Sequence, residues 1–229
     1  SLNHAYPEQV TVQYQTQDNT ATAPSDYSAI TTTTLTFNAG ETSKPVTVVV
    51  NGDGTFESAE TFFVNLSNPS PNASIGTWQG VGTISNDDAA PSLAIDSISH
   101  NEGNGAGTTS YVFTVTKTGA TALSSSVQFQ TQDGTATVAD SDYQSNSGTL
   151  NFGPTDTTKQ ITVLVNHDDK FEANEAFTVH LFGESGATIS TADGTGTITN
   201  DDARPSFAID SVAHNEGNGA GTTSYVFTV

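Results

Sequence analysis

Glu102, Asp142, the run Asp168-Asp169-Lys-Phe-Glu172-Ala-Asn-Glu175 and the pair Asp201-Asp202 are the residues whose type and spacing point to chemistry. Each follows a short segment of alternating apolar residues, the pattern of a half-buried strand. In an up-and-down strand order, the segments after the first, third, fifth and seventh strands share one end of the fold. That end therefore collects about eight carboxylates, and such crowding destabilises the fold or raises carboxyl pKa values unless a cation neutralises it. Hard cations with oxygen ligands suit the site, and Ca2+ tolerates irregular, loop-built geometry better than Mg2+. Paired carboxylates also serve glycosidases. Here nothing supplies a substrate cleft, the same acids recur along the chain, and no Ser-His-Asp or Cys-His grouping occurs. The expectation is a binding protein, not an enzyme, with no catalytic residue.

Plainer readings stand beside that one. Asn200-Asp-Asp202 is also a passable solvated linker turn, and Glu172 with Glu175 a passable surface pair. Gly103-Asn-Gly-Ala-Gly107 leads into a strand, not a helix, so it reads as a hairpin turn rather than a phosphate cradle. His4, His100, His167, His180 and His214 lack zinc spacing and have no cysteine partner. His167, beside the acid run, is the one read as a pH-sensitive neighbour.

The elements that position these acids repeat. Residues 91–115 and 205–229 differ only at Leu93/Phe207, Ile98/Val212 and Ser99/Ala213, and they start 205 − 91 = 114 residues apart. Asn-Asp-Asp-Ala recurs at Asn86 and Asn200, again 114 apart. A repeat of that size is ordinary for one small domain with its own core. Seven strands are expected in the complete repeat, centred on Leu93-x-Ile95, Tyr111-x-Phe113-x-Val115, Val127-x-Phe129, Leu150-x-Phe152, Ile161-x-Val163-x-Val165, Phe177-x-Val179-x-Leu181 and Gly196-x-Ile198. Turn-forming Gly, Asn, Asp and Pro clusters separate them. That is the signature of an all-β, immunoglobulin-like β-sandwich. The head offers Val10-x-Val12-x-Tyr14, Leu35-x-Phe37, Val46-x-Val48-x-Val50, Phe62-x-Val64-x-Leu66 and Val81 to Ile84, with nothing for the two opening strands. The expected domains are 1–90 (a repeat without strands one and two), 91–204 (a complete repeat) and 205–229 (an opening strand pair).

The 25 acidic against 5 basic residues give a formal charge of −20. That balance argues against nucleic acid and anionic membrane, which need basic patches. Only 13% of residues are charged, so the acids are bunched, not spread as in a disordered acidic tail. No cysteine is present to build a disulfide framework, and no apolar run is long enough to insert in a bilayer as a helix.

Taken together, Thr131-Gln-Asp-Gly-Thr-Ala136, Ser141-Asp-Tyr143, Asp168 to Glu175, and Gly196-Thr-Ile198 leading into Asn200-Asp-Asp202 resemble the Calx-beta repeat of sodium/calcium exchangers, integrin β4 and large bacterial surface proteins. The head carries the same motifs as Thr16-Gln-Asp-Asn-Thr-Ala21, Ser25-Asp-Tyr27, Asp53 to Glu60 and Asn86-Asp-Asp88. The resemblance implies Ca2+ ligands at Glu102, Asp142, Asp168, Glu172, Glu175, Asp201 and Asp202, with Asp169 in the same run. In the head it implies Asp26, Asp53, Glu57, Glu60, Asp87 and Asp88, whose missing first-loop acid only a block like that of Glu216 can supply. Gly52 and His167 stand where the richest family sites have Asp, and Asn86 and Asn200 replace the first Asp of the closing run. The implied occupancy is therefore below the family maximum, roughly one or two ions per domain.

The short linker from Asp202 to Pro205 adjoins the acid pole, so a cation there ties strand seven, the linker and three loops together. The function expected is a calcium-stabilised extracellular rod or filament, bacterial and at the cell surface, with copies of itself as partners. Those copies join either in a covalent array or head to tail, residues 205–229 complementing the 1–90 domain of the next chain. Two alternatives stand: adhesion to a glycan or receptor through the acid-poor pole, and a calcium-sensing regulatory domain, against which the depleted ligand set counts.

Overall fold

Alternation in the sequence becomes strand after strand in the computed structural model, which describes residues 1–229 and contains no helix. The first domain is one antiparallel sheet in the order β2-β1-β3-β4, built from β1 (Val10–Asp18), β2 (Thr33–Phe37), β3 (Glu60–Ser67) and β4 (Gln79–Ile84). The second comprises β5 (Ser92–Ile95), β6 (Ile98–Asn101), β7 (Thr108–Thr118), β8 (Ser125–Gln132), β9 (Ser147–Phe152), β10 (Thr158–Asn166), β11 (Glu175–Ser185), β12 (Thr188–Thr191) and β13 (Asp193–Thr199). Its strands form two sheets, β10-β7-β5-β12 and β6-β13-β11-β8-β9.

Nine strands thus stand where seven are expected, because the opening strand divides into β5 and β6 and the closing one into β12 and β13. The opening strand changes sheet halfway. Its first half, β5, runs antiparallel to β7 and parallel to β12; its second half, β6, runs parallel to β13 in the other sheet. The crossing at Asp96-Ser97 is pinned: the Thr114 N–H donates to Asp96 Oδ1 at 2.8 Å, and the Thr195 N–H donates to Ser97 Oγ at 3.0 Å. Neither Ile98–Asn101 nor Thr188–Thr191 carries apolar alternation, so neither extra strand announces itself in the sequence.

Between the two sheets lies a core of 17 buried residues, filled by the inward series Tyr111/Phe113/Val115, Ile161/Val163/Val165 and Phe177/Val179/Leu181. Each of these aliphatic and phenyl side chains contributes about 1.5–3 kcal/mol by leaving water. Tyr143 stacks on Phe177 with ring centroids 4.5 Å apart. Opposite Phe177 in the ladder is Gly196, where a Cβ would clash with that ring.

In the first domain, Val46–Val50 is not a strand, contrary to its alternation. The reason is the missing partner. In the second domain the equivalent β10 pairs with β7 along its whole length, and residues 1–90 hold no β7. Only the outer edge survives: Val50 bridges Tyr27 as Val165 bridges Tyr143. The buried cluster of this domain shrinks to Ala21, Tyr27 and Phe62, with Val10 and Phe37 buried apart from it. Val50 is 46% exposed, whereas Val165 is 0% exposed.

The two domains touch through backbone. The Phe56 N–H donates to the Ala120 carbonyl at 3.1 Å, and the Ala122 N–H returns to the Phe56 carbonyl at 3.0 Å. The Thr121 hydroxyl donates to that same carbonyl at 3.0 Å. Residues 205–229 form no strand yet keep the local contacts of residues 91–115. Tyr225 OH donates to the His214 carbonyl at 2.7 Å, as Tyr111 OH does to the His100 carbonyl at 2.6 Å.

Candidate metal centre

Four strand ends of the second domain deliver its carboxylates to one place. Glu102 follows β6, Asp142 lies between β8 and β9, Glu172 precedes β11 and Glu175 opens it, and Asp201 and Asp202 follow β13. They form two groups whose ligand oxygens lie within 4.8 Å of one another: Glu102 with Asp201 and Asp202, and Asp142 with Glu172 and Glu175. Glu102 is buried, 7% exposed. Its Oε1 and the Oδ2 of Asp202 are both buried without any hydrogen-bond partner. A buried carboxylate oxygen that faces another and meets no donor is costly. Protonation or a cation would relieve it.

The electrostatics follow from this crowding. Burial first, then Asp202, Asp168 and Glu172, push the Glu102 carboxyl up to about 7. Burial first, then Asp142, with Glu172 and Asp140 behind it, push Glu175 up to about 7. Glu172 bears on both, so the two groups form one field. One cationic side chain reaches a member of either group, and only from outside. Lys170 reaches outward to Glu172 at 3.1 Å and Asp168 at 3.7 Å and is itself 68% exposed.

Backbone geometry holds the acid loops. Asp142 Oδ2 accepts the Thr137 N–H at 2.7 Å. The Gly103 N–H and the Asn104 side-chain amide donate to the two Asp201 oxygens at 3.3 Å each, and the Gly105 N–H donates to Asp169 Oδ1 at 3.0 Å. Gly103–Gly107 is therefore a clamp over the acid pole. Its glycines have a steric reason: the His167 ring occupies the space that a Cβ at Gly103 (2.8 Å) or Gly107 (2.9 Å) would need. His167 Nε2 lies 3.0 Å from Thr109 Oγ1, and the residue belongs to neither carboxylate group.

Asn200 was missed as more than a weakened ligand. Its Oδ1 accepts the Glu172 N–H at 2.9 Å while its Nδ2 donates to the Asp202 carbonyl at 3.1 Å. Asn86 does the same with the Glu57 N–H (2.9 Å) and the Asp88 carbonyl (3.0 Å). A side-chain amide both donates and accepts, which an ionised carboxylate cannot, so these Asn residues are braces. The repetition of Asn before Asp-Asp at both positions was the available signal.

The other expected residues are placed less tightly. Asp168 and Asp169 sit on the same loop outside both groups. In the first domain Asp26, Glu57 and Glu60 are mutual neighbours. Burial first, then Asp53, Asp26 and Asp88, raise Glu57; burial first, then Asp26 and Glu57, raise Glu60. The Thr22 N–H bond above all lowers Asp26. No three carboxylates of that domain converge as in the second, and Asp53 and Asp87 are exposed. Glu216 is exposed on the tail, apart from either group.

The Calx-beta domain family matches residues 3–89 and again residues 86–202. The chain belongs to the Calx-beta family. Its curated relatives include sodium/calcium exchanger 1 of dog, 30% identical over an alignment of 189 residues that covers 75% of this chain and 19% of the relative. Exchanger 2 of rat is 31% identical over 74% of this chain and 20% of its own length. The chain thus spans about a fifth of the curated relatives it matches. Among solved structures, CBD12 from CALX1.2 aligns with TM-score 0.40 and 20% identity over 86% of this chain and 90% of its own. The apo-form Calx CBD1 domain aligns with TM-score 0.43 and 28% identity over 49% of this chain and 99% of its own. Both Calx-beta matches of this chain carry the Asn-braced acid loop described above.

Proposed function

We propose that the chain is a calcium-responsive regulatory module in which Ca2+ completes the acid pole of a Calx-beta domain. One observation carries the reading: the buried, unpartnered oxygens of Glu102 and Asp202, set beside Asp201 and the Asp142/Glu172/Glu175 group, of which only Glu172 meets a cationic side chain, the exposed Lys170. Glu102, Asp142, Glu172, Glu175, Asp201 and Asp202 would hold the ion, an all-oxygen set that fits a hard divalent cation. The relatives that contain matching domains are sodium/calcium exchangers, which supports sensing over a purely passive role. Ligand depletion at Asn200 no longer counts against sensing, since that residue holds the loop rather than replacing a carboxylate. The tail-bearing pole is where the signal would leave, because Asp201 and Asp202 lead straight into the segment after β13.

Calorimetric titration of Ca2+ into the metal-free chain tests this. Saturable binding that Glu102→Gln and Glu175→Gln each weaken supports it; no binding, or binding indifferent to both changes, removes it.

A second reading has its own observation. The three hydrogen bonds among Phe56, Ala120, Thr121 and Ala122 fasten consecutive domains with few free residues between them. Such a joint suits a stiff extracellular rod, where plentiful calcium fills sites of modest affinity.

A further inference from the structure

Asn104 sits in the middle of the clamp over the acid pole and is exposed, with Gly105 next in the chain. An Asn followed by Gly is open to attack on its side-chain carbonyl by the next backbone nitrogen, because the second residue has no β-carbon to block the approach. Space is free here as well: no heavy atom lies within 4 Å of where a Cβ on Gly105 would stand.

Two carboxylates flank the reacting groups. The Gly105 N–H donates to Asp169 Oδ1 at 3.0 Å, so an acceptor rests on the proton which that nitrogen must give up before it attacks. The Asn104 amide nitrogen, the group that must leave, is held only by a bond of 3.3 Å to Asp201 Oδ2, long for N–H···O. Asn51-Gly52 is another such pair and is built differently. Its amide nitrogen donates to the Pro24 carbonyl at 2.8 Å and the Ser25 carbonyl at 3.2 Å, and its backbone N–H donates to the Asp26 carbonyl at 2.9 Å. Asn51 is thus tied at three points, whereas the reacting groups of Asn104-Gly105 face carboxylates.

We propose that Asn104 is a site of spontaneous deamidation, with Asp169 as the base that draws the Gly105 proton, and that the change unlatches the clamp from Asp201. Water is the one co-reactant. The Gly105 nitrogen bonds to Asn104 Cγ, the Cγ–Nδ2 bond breaks, and the amide leaves as ammonia, which carries off the proton that Gly105 surrendered. One water then opens the five-membered imide. Cleavage at Cγ leaves aspartate; cleavage at the backbone carbonyl carbon leaves isoaspartate, whose main chain is one carbon longer. Either product sets a carboxylate where an amide donated to Asp201, and two like charges in contact repel. Of the two clamp donors to Asp201, only the Gly103 N–H, at 3.3 Å, remains. The chemistry itself does not depend on calcium.

The folded chain held in chelator at neutral pH and body temperature tests this, with the same chain unfolded in urea alongside. Mass spectrometry of proteolytic peptides follows the one-unit mass gain of amide-to-acid conversion at Asn104 and at Asn51. In the folded chain Asn104 is expected to convert several-fold faster than Asn51, a preference that disappears in urea. Asp169→Asn is expected to slow conversion at Asn104 several-fold, and Asp169→Glu, which keeps a carboxylate, to restore part of the rate. Asn104→Asp installs one product directly and is expected to lower the unfolding midpoint in chelator. Asn104 that stays intact in the folded chain while it converts in urea overturns the proposal. So does a folded-state rate no faster than that of Asn51, or one that Asp169→Asn leaves unchanged or raises. An Asn104→Asp midpoint equal to or above the parent's overturns the unlatching.

Discussion

The backbone N–H of Glu172 donates to the side-chain oxygen of Asn200 at 2.9 Å, and the Glu57 N–H meets Asn86 at the same distance one repeat earlier. Each bond ties the acid-bearing loop to the strand end that carries the Asp pair. In the second domain it therefore sets the distance between the Asp142/Glu172/Glu175 group and the Glu102/Asp201/Asp202 group.

Replacing Asn200 with Asp removes the Nδ2 donor to the Asp202 carbonyl and sets a carboxylate among carboxylates. Partners that orient metal ligands are worth about 10–100-fold in affinity. Asn200→Asp is expected to lower calcium affinity by that order, although it adds a carboxylate. Affinity equal to or above the wild type would show that the residue is an ordinary ligand position.

Glu102→Gln is expected to change sign with calcium. In chelator it removes a buried, crowded charge and raises the unfolding midpoint; in saturating calcium it removes a ligand and lowers it. Parallel thermal melts in the two buffers check this, and a shift of the same sign in both contradicts it.

The metal-free chain should also lose stability as pH rises. Glu102 and Glu175 have folded carboxyl pKa values near 7, raised from 4.5, because the fold disfavours their charged forms. A raised carboxyl pKa means the folded state holds its protons more tightly than the unfolded one. Stability from these groups is full below about pH 4.5 and is lost as pH climbs through about 7. Urea midpoints in chelator at pH 5.5 and pH 8 (roughly either side of the folded pKa) are expected to fall with pH. Saturating calcium should flatten the trend.

Much of this was legible in the sequence, for stated reasons. Alternation at Tyr111/Phe113/Val115 and Phe177/Val179/Leu181 revealed the core strands because one face of each is buried. The 114-residue echo placed the acids, since loops at one pole recur with the repeat. What was not legible depended on partners. Val46, Val48 and Val50 alternate as in a strand and form none, because pairing is a property of two segments. The sheet switch at Asp96-Ser97 rests on bonds to Thr114 and Thr195, both remote in sequence. Asn86 and Asn200 read as diminished ligands because a residue type does not disclose which backbone atoms it will reach.

Gly107→Ala offers a check on the clamp over the acids. A Cβ there would meet the His167 ring at 2.9 Å, so the Gly103–Gly107 loop must shift. The expected cost is about 1–3 kcal/mol, as for other overpacked sites. His167→Ala in the same chain, by emptying that space, is expected to recover part of it. A Gly107→Ala chain as stable as the parent would show that the loop is not held against His167.

The most direct test of the account is thermal unfolding of the chain in millimolar calcium and again in excess chelator, for the wild type and for Glu172→Gln/Glu175→Gln. A ligand that binds only the folded state must raise the midpoint. The account predicts a rise in calcium for the wild type that is lost in the double variant. An identical midpoint with and without calcium in the wild type would contradict it, and would leave the acid pole as solvated surface.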